Sequence, residues 1–332
     1  MKEIIKRILI GALLIVTFLL AISVLMLLRG QTISKVTYSV PSHTDKGLRI
    51  VALADLHGDL PEEKMDTFIQ KIQSADPDLI VYLGDMIDRS TPEESSEVLE
   101  DLTKALIEIA PICYVDGNHE QSIHSANPQL YADLNDSLKS IGAVQLENET
   151  VQLLIRDNPE FPSEWFFTQL SAIDRIKDLN GTLVNICGIT THYFWGPTEY
   201  SNSENLRSMD GINILLCHYP ESVIWYDAFG SRGLDLAICG HTHGGLIRFP
   251  IVGGMFAPEQ GWWPKYDAGQ FPVYTDTTWR EYGGAEGTEY LGTMIISGGL
   301  AGEHGIPRIN NSKEISLIEI GNGESCVQHT GQ

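Results

Sequence analysis

Short apolar runs recur along the chain, and most of them are bounded by glycine, proline or acidic residues. They are rich in Ile, Val, Leu and Tyr, which is typical of strands that are covered on both faces. The runs are Leu48–Ala54, Leu79–Leu83, Ile112–Val115, residues 143–155, residues 183–189, Ile212–Cys217, Leu234–Ile238 and Tyr290–Ser297. The stretch Val36–Val40 is also β-prone and is predicted to be an edge strand.

Amphipathic segments lie between the first of these runs. The predicted helices are Pro61–Gln73, Pro92–Ile109 and Pro128–Ile141. Thr91 and Asn127 are the predicted N-caps of the second and third helices, because each precedes a proline that can open a helix. Gly142 is predicted to end the third. Strand and helix therefore alternate, and the first half of the chain is predicted to have an α/β fold.

The N-terminal segment contains an uncharged apolar run, Ile8–Leu28. As a helix this run would extend about 31 Å, which matches the hydrocarbon core of a bilayer. We expect an uncleaved, single-pass membrane anchor. A cleaved signal peptide is the alternative, although its apolar region is normally shorter. Three basic residues precede the run and only Arg29 closes it, which favours a cytoplasmic N-terminus and an extracytoplasmic domain at the cell membrane.

The rest of the chain is expected to form one globular domain. We assign residues 1–30 to the anchor, 31–47 to a linker with the edge strand, 48–320 to the domain and 321–332 to a C-terminal tail. The formal net charge is −22, so nucleic-acid binding is not expected. Four cysteines lie in or beside apolar runs and are interpreted as small buried core residues. These are Cys113, Cys187, Cys217 and Cys239.

Side chains of metal-ligand type follow five of the apolar runs. They are Asp55 and His57 after the first run, Asp85 and Asp88 after the second, Asn118 and His119 after the third, His218 after Ile212–Cys217, and His241 and His243 after Leu234–Ile238. Because the carboxyl ends of parallel strands share one edge of a sheet, we expect these side chains to converge. Carboxylate, amide and imidazole ligands without thiolates favour an open site for Mn, Fe or Zn. So many ligands indicate two ions bridged by one carboxylate, an arrangement suited to displacement at phosphorus.

These residues resemble the motif set of the calcineurin-like metallophosphoesterases. The motifs are Asp55-x-His57, Gly84-Asp85-x-x-Asp88, Gly117-Asn118-His119-Glu120, His218 and Gly240-His241-Thr242-His243. The longer stretch from Gly240 to Pro250 is similar to that of the bacterial, membrane-associated phosphoesterases of the YkuE and YaeI type. The resemblance covers roughly residues 34–320. One departure is Ala54, where the family often has serine.

The resemblance implies a four-layer α/β/β/α sandwich that binds two divalent transition-metal ions. It implies that three residues hold each ion and that Asp85 bridges the two. The first set is Asp55, His57 and His243, and the second is Asn118, His218 and His241. His119 would act as general acid or transition-state stabiliser beside the leaving group, and a hydroxide activated by both ions would be the nucleophile. Asp88 and Glu120 are interpreted as supports of the ligands or as caps.

The expected reaction is hydrolysis of a phosphodiester, phosphomonoester or pyrophosphate bond. The anchor favours substrates of the cell envelope, either lipid-linked or cell-wall-linked. An alternative is a pyrophosphatase for lipid-linked nucleotide sugars, of the UDP-diacylglucosamine type. A different class is a non-catalytic, membrane-tethered binding protein on the same scaffold. Such a protein is expected to lack one or more ligands, whereas all the ligand positions are filled here.

A Gly- and Pro-rich stretch, residues 251–290, follows the last motif and carries many aromatic residues. These side chains are expected to line the substrate site, to lie against lipid headgroups or to pack on the sheet. They are Phe256, Trp262, Trp263, Tyr266, Phe271, Tyr274, Trp279 and Tyr282. Arg308, further along, is a candidate phosphate contact, with a surface ion pair as the alternative interpretation.

Overall fold

A computed structural model of the chain describes residues 2–42, 47–155, 166–169, 182–190, 206, 209–225, 228–278, 281, 283–302 and 306–322. Most of the expected C-terminal tail, residues 323–332, lies outside these ranges, as do Trp279 and Tyr282. The N-terminal helix, α1, spans Lys2–Gly30. It is the one helix of the described residues that is long and apolar enough to cross a membrane, with a mean hydropathy of 3.0 and none of its apolar window buried. By length and composition it is suited to an anchor or a signal sequence.

The globular part consists of two sheets with helices outside them. Its strands are β1 (Ile33–Ser42), β2 (Leu48–Leu53), β3 (Leu79–Tyr82), β4 (Ile112–Tyr114), β5 (Val144–Gln145), β6 (Glu149–Ile155), β7 (Phe166–Gln169), β8 (Thr182–Ile189), β9 (Ile212–Cys217), β10 (Leu236–Cys239), β11 (Arg248–Phe249), β12 (Gly253–Gly254), β13 (Phe256–Ala257), β14 (Gly261–Trp262), β15 (Gly269–Tyr274), β16 (Tyr290–Ile296) and β17 (Lys313–Asn322). Its helices are α2 (Glu62–Gln73), α3 (Pro92–Leu106), α4 (Asn118–Ala126), α5 (Pro128–Ile141), α6 (Pro220–Trp225) and α7 (Ala228–Arg232). A 3₁₀ turn spans His243–Gly245.

Both sheets are mixed. The first has the strand order β1-β17-β2-β3-β4-β5, in which β2 to β5 are parallel and β17 runs antiparallel to β2. The second has the order β15-β16-β10-β9-β8-β6-β7, with a parallel centre from β16 to β8. The parallel strands in each sheet place the loops that follow them at one edge.

The hydrophobic core lies in three layers. The central layer fills the space between the sheets, with residues such as Ile50 from the first sheet and Ile186 from the second. The outer face of the first sheet is covered by α2, α3 and α5 through residues such as Phe68 and Leu102. The outer face of the second is covered by α6 and α7 through residues such as Phe229. This order of helix, sheet, sheet and helix confirms the predicted four-layer α/β/β/α fold.

Local signals predicted several element boundaries. The helix α3 begins at Pro92 and α5 spans Pro128–Ile141, as expected, although α3 ends at Leu106 rather than Ile109. Gly142 has a φ angle of 113°, a left-handed conformation that glycine adopts without strain. The four cysteines in or beside the strands are buried and free.

The strand β17 was not predicted. It lies between β1 and β2, so these two consecutive strands are not neighbours in the sheet. Its parallel pairing with β1 places Ile33 opposite Lys313. Pairing between residues so far apart in the chain leaves no local pattern, because a strand's composition does not specify its neighbour.

Candidate metal centre

The loops after β2, β3, β4, β9 and β10 meet at one edge of the two sheets. Ligand-type side chains of the described residues form three groups there. Within each group, the potential ligand atoms all lie within 4.8 Å of one another. The groups are Asp55, His57 and His243; His57, Asp88 and His119; and Asp85, His218 and His241. The structure therefore brings together the predicted residues from all five strand ends.

The backbone at this edge is unusual. Among the described residues, twelve non-glycine residues have a positive φ, and five of them are candidate ligands. They are Asp55, His57, Asp85, His241 and His243, with φ angles of 53°, 48°, 52°, 72° and 49°. Asp and His enter the left-handed region more readily than most residues, and such conformations cluster at functional sites.

The first cluster contains Asp55, His57 and His243. Nδ1 of His243 lies 3.2 Å from the carbonyl oxygen of Ala301, which leaves Nε2 directed towards Asp55 at 3.8 Å. Burial lowers the pKa of His57 to about 4 and holds that of His243 well below its usual value. Both imidazoles are therefore neutral, which is the form that binds metals. Among the described residues, the buried Nε2 of His57 has no hydrogen-bond partner.

The second cluster converges on Nε2 of His218. This atom lies 3.2 Å from Oδ1 of Asn118, 3.2 Å from Nδ1 of His241 and 3.4 Å from Oδ2 of Asp85. Nδ1 of His218 lies 2.7 Å from the carbonyl oxygen of Leu83. Burial opposes a charge on His218, but Asp85 outweighs burial and raises the pKa of His218 to about 10. The cluster thus favours a positive charge at its centre.

Asp85 lies between the two clusters. Its Oδ2 atom is 3.9 Å from Nε2 of His57 and 3.4 Å from Nε2 of His218, while Oδ1 accepts a hydrogen bond from the backbone N–H of His119 at 2.8 Å. Although burial opposes ionisation, the neighbouring histidines lower the pKa of Asp85 below its usual value. One carboxylate oxygen is therefore within reach of both groups of ligands.

His119 borders the first cluster, with its ring centroid 4.3 Å from that of His57. Nδ1 of His119 accepts a hydrogen bond from the backbone N–H of Arg89 at 3.1 Å, and Oδ1 of Asp88 lies 3.5 Å away. Burial lowers the pKa of His119. In the neutral ring with Nδ1 as acceptor, Nε2 carries the proton, and among the described residues this buried atom has no hydrogen-bond partner.

The carboxylate of Glu120 fixes the loop that carries Asp85. It accepts backbone hydrogen bonds from Asp85, Met86, Ile87 and Gly117, at 2.8 to 3.2 Å. Burial raises the pKa of Glu120 to about 7, and the backbone donors oppose that shift. Asp88 acts similarly on its own turn, accepting from the backbone N–H and the hydroxyl of Ser90. Both residues therefore support neighbouring backbone.

Sequence reasoning missed Glu259. Its Oε2 atom lies 2.5 Å from Nε2 of His241, on the side of the ring opposite the second cluster. Glu259 belongs to the turn between β13 and β14 and has a φ angle of 60°. Its place in a loop gave no signal, because no motif links it to His241. Only the tertiary fold brings the two together.

Arg308 is buried, with 2% of its surface exposed, so the alternative of a surface ion pair is wrong. Its guanidinium donates hydrogen bonds to backbone carbonyls that lie before and after it in the chain. The acceptors are Gly298, Ala301, Asn311 and Ser312, at 2.6 to 3.0 Å. The same carbonyl of Ala301 lies beside Nδ1 of His243, so Arg308 helps to position that imidazole. Contact with phosphate stays a prediction for Arg308, which also borders the cleft beside the clusters.

The cleft beside the clusters has a volume of about 600 Å³. His57, Asp88 and His119 form part of one wall. Gly30 and Gln31, at the end of α1, form part of another. The cleft therefore gives access to the first cluster from the side where the N-terminal helix joins the domain.

The donor set fits two divalent cations. Imidazole nitrogens, carboxylates and an amide oxygen converge from separate strand ends, and thiolates take no part among the described residues. The orphaned Nε2 of His57 and the convergence on Nε2 of His218 both have a simple explanation in metal coordination.

This fold and this set of clusters define a metallophosphoesterase. The chain belongs to the calcineurin-like phosphoesterase family, whose model matches residues 48–245. The predicted family is thereby confirmed, and the chain is a phosphoesterase by class.

The chain is similar to several bacterial proteins. It is 26% identical to the uncharacterized protein YpbG of Bacillus subtilis strain 168 over 233 residues, which cover 68% of this chain and 71% of that protein. It is 28% identical to the phosphodiesterase YaeI of Escherichia coli strain K12 over 225 residues, covering 67% and 69%. It is 25% identical to the uncharacterized metallophosphoesterase YkuE of Bacillus subtilis strain 168 over 226 residues, covering 67% and 68%. The resemblance to the YkuE and YaeI type is thus confirmed.

Proposed function

We propose that this protein hydrolyses phosphoester bonds with two divalent ions, Mn, Fe or Zn, bound at the candidate centre. The observation that carries the proposal is the position of Asp85, whose Oδ2 atom lies within 4 Å of histidines from both clusters. Two ions at this site would lower the pKa of a water nucleophile and neutralise charge on the phosphoryl group. Phosphodiester, phosphomonoester and pyrophosphate bonds all fit this chemistry.

The ligands divide into two sets around Asp85. In the proposal, Asp55, His57 and His243 hold the first ion, and a second set holds the other. The second set is Asn118, His218 and His241. Asp85 would bridge both ions, and Glu259, in contact with Nε2 of His241, would leave Nδ1 of that ring to bind the second ion.

His119 is proposed to donate a proton, or a hydrogen bond, to the leaving-group oxygen. Its Nδ1 atom is occupied by the backbone N–H of Arg89, so the proton resides on Nε2 in the neutral ring. That atom is buried beside His57 at the cleft. A neutral donor beside the ions is suited to a leaving oxygen that becomes negative.

The proposal includes α1 as a retained, single-pass anchor with the domain outside the cytoplasm. The end of the helix is part of the globular structure, since the carbonyl of Met26 accepts a hydrogen bond from the backbone N–H of Asn310 at 2.8 Å. Gly30 and Gln31 also border the cleft. These contacts would be lost if a peptidase removed the helix, so they favour its retention. Envelope phosphoesters are therefore the favoured substrates, with lipid-linked nucleotide sugars as one candidate group.

The test is hydrolysis of bis(p-nitrophenyl) phosphate by the full-length protein in detergent, with added Mn²⁺ and after chelation. We expect chelator-sensitive hydrolysis in the unaltered protein. Asp85→Ala should lose most of the bound metal together with the activity, because both ions lose the shared carboxylate. Asp133→Ala, a change on the exposed face of α5, is the matched control and should behave like the unaltered protein. Two ions retained in Asp85→Ala would contradict the bridging role, and bound metal without hydrolysis of any phosphoester would favour the binding-protein alternative.

A further inference from the structure

The C-terminal end of α1 has a fixed place on the domain. Besides the bond between Met26 and Asn310, the backbone N–H of Lys313 donates to the carbonyl of Thr32 at 2.8 Å. The backbone of Arg308 comes so close to Gly30 that an added Cβ would lie 1.9 Å from the Arg308 carbonyl oxygen. The point at which an anchor helix leaves the bilayer is therefore fixed relative to the cleft.

An exposed apolar surface lies in the loops after the last metal motif. We call it the 249–263 surface, and it consists of Phe249, Ile251, Val252, Phe256, Trp262 and Trp263. Outside α1, the described residues include nine large, exposed hydrophobic side chains, and these six are among them. Ile251 is fully exposed, and Trp262 and Trp263 are exposed by 66% and 56%. Such a concentration on one segment marks an interaction surface rather than scattered surface residues.

One residue connects this surface to α1. The backbone N–H of Asn310 donates to Met26 in α1, and its side-chain amide donates to the carbonyl of Arg248 at 2.9 Å. Arg248 also donates its backbone N–H to Ile309 at 3.0 Å, and Phe249 follows directly. The start of the 249–263 surface is thus two hydrogen bonds away from the end of the helix.

Charge near the end of the helix is also suited to a membrane surface. Arg29 and Arg248 line a depression of about 510 Å³ together with Phe249 and Ile251. Arg248 is paired with Asp267 at 2.9 Å, so Arg29, at the end of the helix, carries the positive charge of this depression in a chain with a net charge of −22. Arginine, tryptophan and aliphatic residues together favour the headgroup region, where cations meet phosphates and rings meet the acyl boundary.

The described aromatic residues of the predicted loop include two contrasting kinds. Tyr266 and Phe271 pack with the core of the second sheet, as one interpretation of the sequence expected. The exposed side chains of the 249–263 surface do not line the cleft at the metal centre, so they are not its walls. Their side chains are therefore available to a partner at the surface.

We propose that the 249–263 surface lies in the headgroup region of the membrane that α1 enters, and that the cleft takes phosphoesters carried by lipids of that membrane. The second half of this statement rests on the proposed function. The cleft opens beside Gly30 and the half-exposed Ile306, at the level where the helix emerges. A lipid phosphate could then reach the centre without leaving the bilayer surface. A soluble phosphoester would gain no binding energy from this apolar surface.

The first test measures the depth of the surface and does not depend on activity. A fluorescent bimane is attached at Ile251→Cys in the full-length chain. The fifth cysteine is removed by Cys326→Ser, and the four described cysteines are buried, so the label reacts at residue 251. The protein is placed in phosphatidylcholine–phosphatidylglycerol nanodiscs that contain lipids with a nitroxide near the headgroup. The matched control is a label at Ser140→Cys, near the end of α5. This helix end leads into the start of β5, whereas the metal centre follows the carboxyl ends of the parallel strands.

We expect the nitroxide lipids to quench the label at residue 251 several-fold more than the label at residue 140. Equal and weak quenching at both positions would overturn the proposed surface. Dimers in the nanodisc with the label at residue 251 shielded from both lipid and water would also overturn it, in favour of a second copy as the partner. Neither result would affect the proposed chemistry.

The second test compares two substrates with the same leaving group. One is soluble bis(p-nitrophenyl) phosphate, and the other is the p-nitrophenyl ester of phosphatidic acid in the nanodisc. Trp262→Ser combined with Trp263→Ser should lower the rate on the lipid ester by about tenfold and leave the soluble rate unchanged. The control is Trp225→Ser, an exposed tryptophan outside this surface. Equal losses on both substrates, or hydrolysis of the soluble ester alone by the unaltered protein, would overturn the lipid-substrate inference. If the unaltered protein hydrolysed neither ester, the result would instead count against the proposed function.

Discussion

At the scale of residues, three candidate ligand imidazoles are each held at the outer ring nitrogen by a different group of the protein. Nδ1 of His218 lies against the carbonyl of Leu83, and Nδ1 of His243 lies against that of Ala301. His241 is held by the Glu259 side chain at Nε2. Such partners fix the ring orientation and the tautomer before a metal binds, so less conformational entropy is lost on binding.

Replacing Glu259 by glutamine tests the most localised of these contacts. The amide keeps the size of the side chain but removes the charge that favours Nε2–H on His241. We expect affinity for the second ion to fall by about 10- to 100-fold, as is usual for outer partners of metal ligands. Isothermal titration of the metal-free protein with Mn²⁺ gives the two binding constants.

The control for this experiment is Glu289→Gln, a change of an exposed acidic residue outside the centre. A general loss of negative charge would affect both variants equally. If Glu259→Gln bound both ions with unchanged constants, the contact with His241 would have no role in metal binding.

His119→Ala separates catalysis from metal binding. The variant should keep both ions, because His119 belongs to neither proposed ligand set, and should lose about 10²- to 10⁴-fold in rate if the imidazole acts as an acid. The loss should be largest for esters with poor leaving groups and small for nitrophenol, which needs little protonation. The experiment measures the metal content of the variant and its hydrolysis rates over a series of leaving groups. A loss of rate that is the same for every leaving group would exclude the acid role.

At the scale of elements, the joint between α1 and the domain depends on the absence of a side chain at Gly30. Gly30→Ala would place a methyl group 1.9 Å from the Arg308 carbonyl oxygen, so the helix end or the loop must shift. Overpacking of this kind costs about 1–3 kcal/mol. We expect a lower melting temperature in detergent and slower hydrolysis of membrane-embedded substrate.

The matched control lies in the same helix. Gly11→Ala adds the same methyl group where nothing lies within 4 Å, and alanine favours the helix. This variant should be as stable as the unaltered protein or slightly more so. Equal melting temperatures for the two variants would mean that the helix end does not stay docked on the domain.

At the scale of the whole molecule, the centre joins the two sheets. Asp55, Asp85 and Asn118 follow strands of the first sheet, whereas His218 and His241 follow strands of the second. A ligand that binds only the folded state stabilises it, by about 2.7 kcal/mol when its concentration is 100 times its dissociation constant. Metal ions should therefore stabilise the contact between the sheets as well as the site.

Chelation tests this coupling. Removal of metal should lower the melting temperature of the unaltered protein by several degrees, and added Mn²⁺ should restore it. The variant Asp85→Ala, which lacks the shared ligand, should respond much less. Equal responses to the chelator in both proteins would show that the chelator acts elsewhere.

The sequence by itself predicted the central strands of both sheets, the helices α2, α3 and α5, the family, and candidate ligand residues that the structure brings together. These features have local signals: apolar runs ended by Asp, Asn or His, and caps such as Asn127, whose side chain accepts from the backbone N–H of Leu130. Few residue types can bind a metal ion, so the motifs can be recognised from the sequence alone. The end of α5 at Gly142 is equally local.

Only the tertiary structure decided which distant residues meet. The insertion of β17 between β1 and β2, the contact of Glu259 with His241 and the burial of Arg308 have no local pattern. Each depends on backbone pairing or side-chain packing between segments that are remote in the chain, where many partners are chemically equivalent. The same reason explains why the placement of α1 beside the cleft and the 249–263 surface emerged only from the fold.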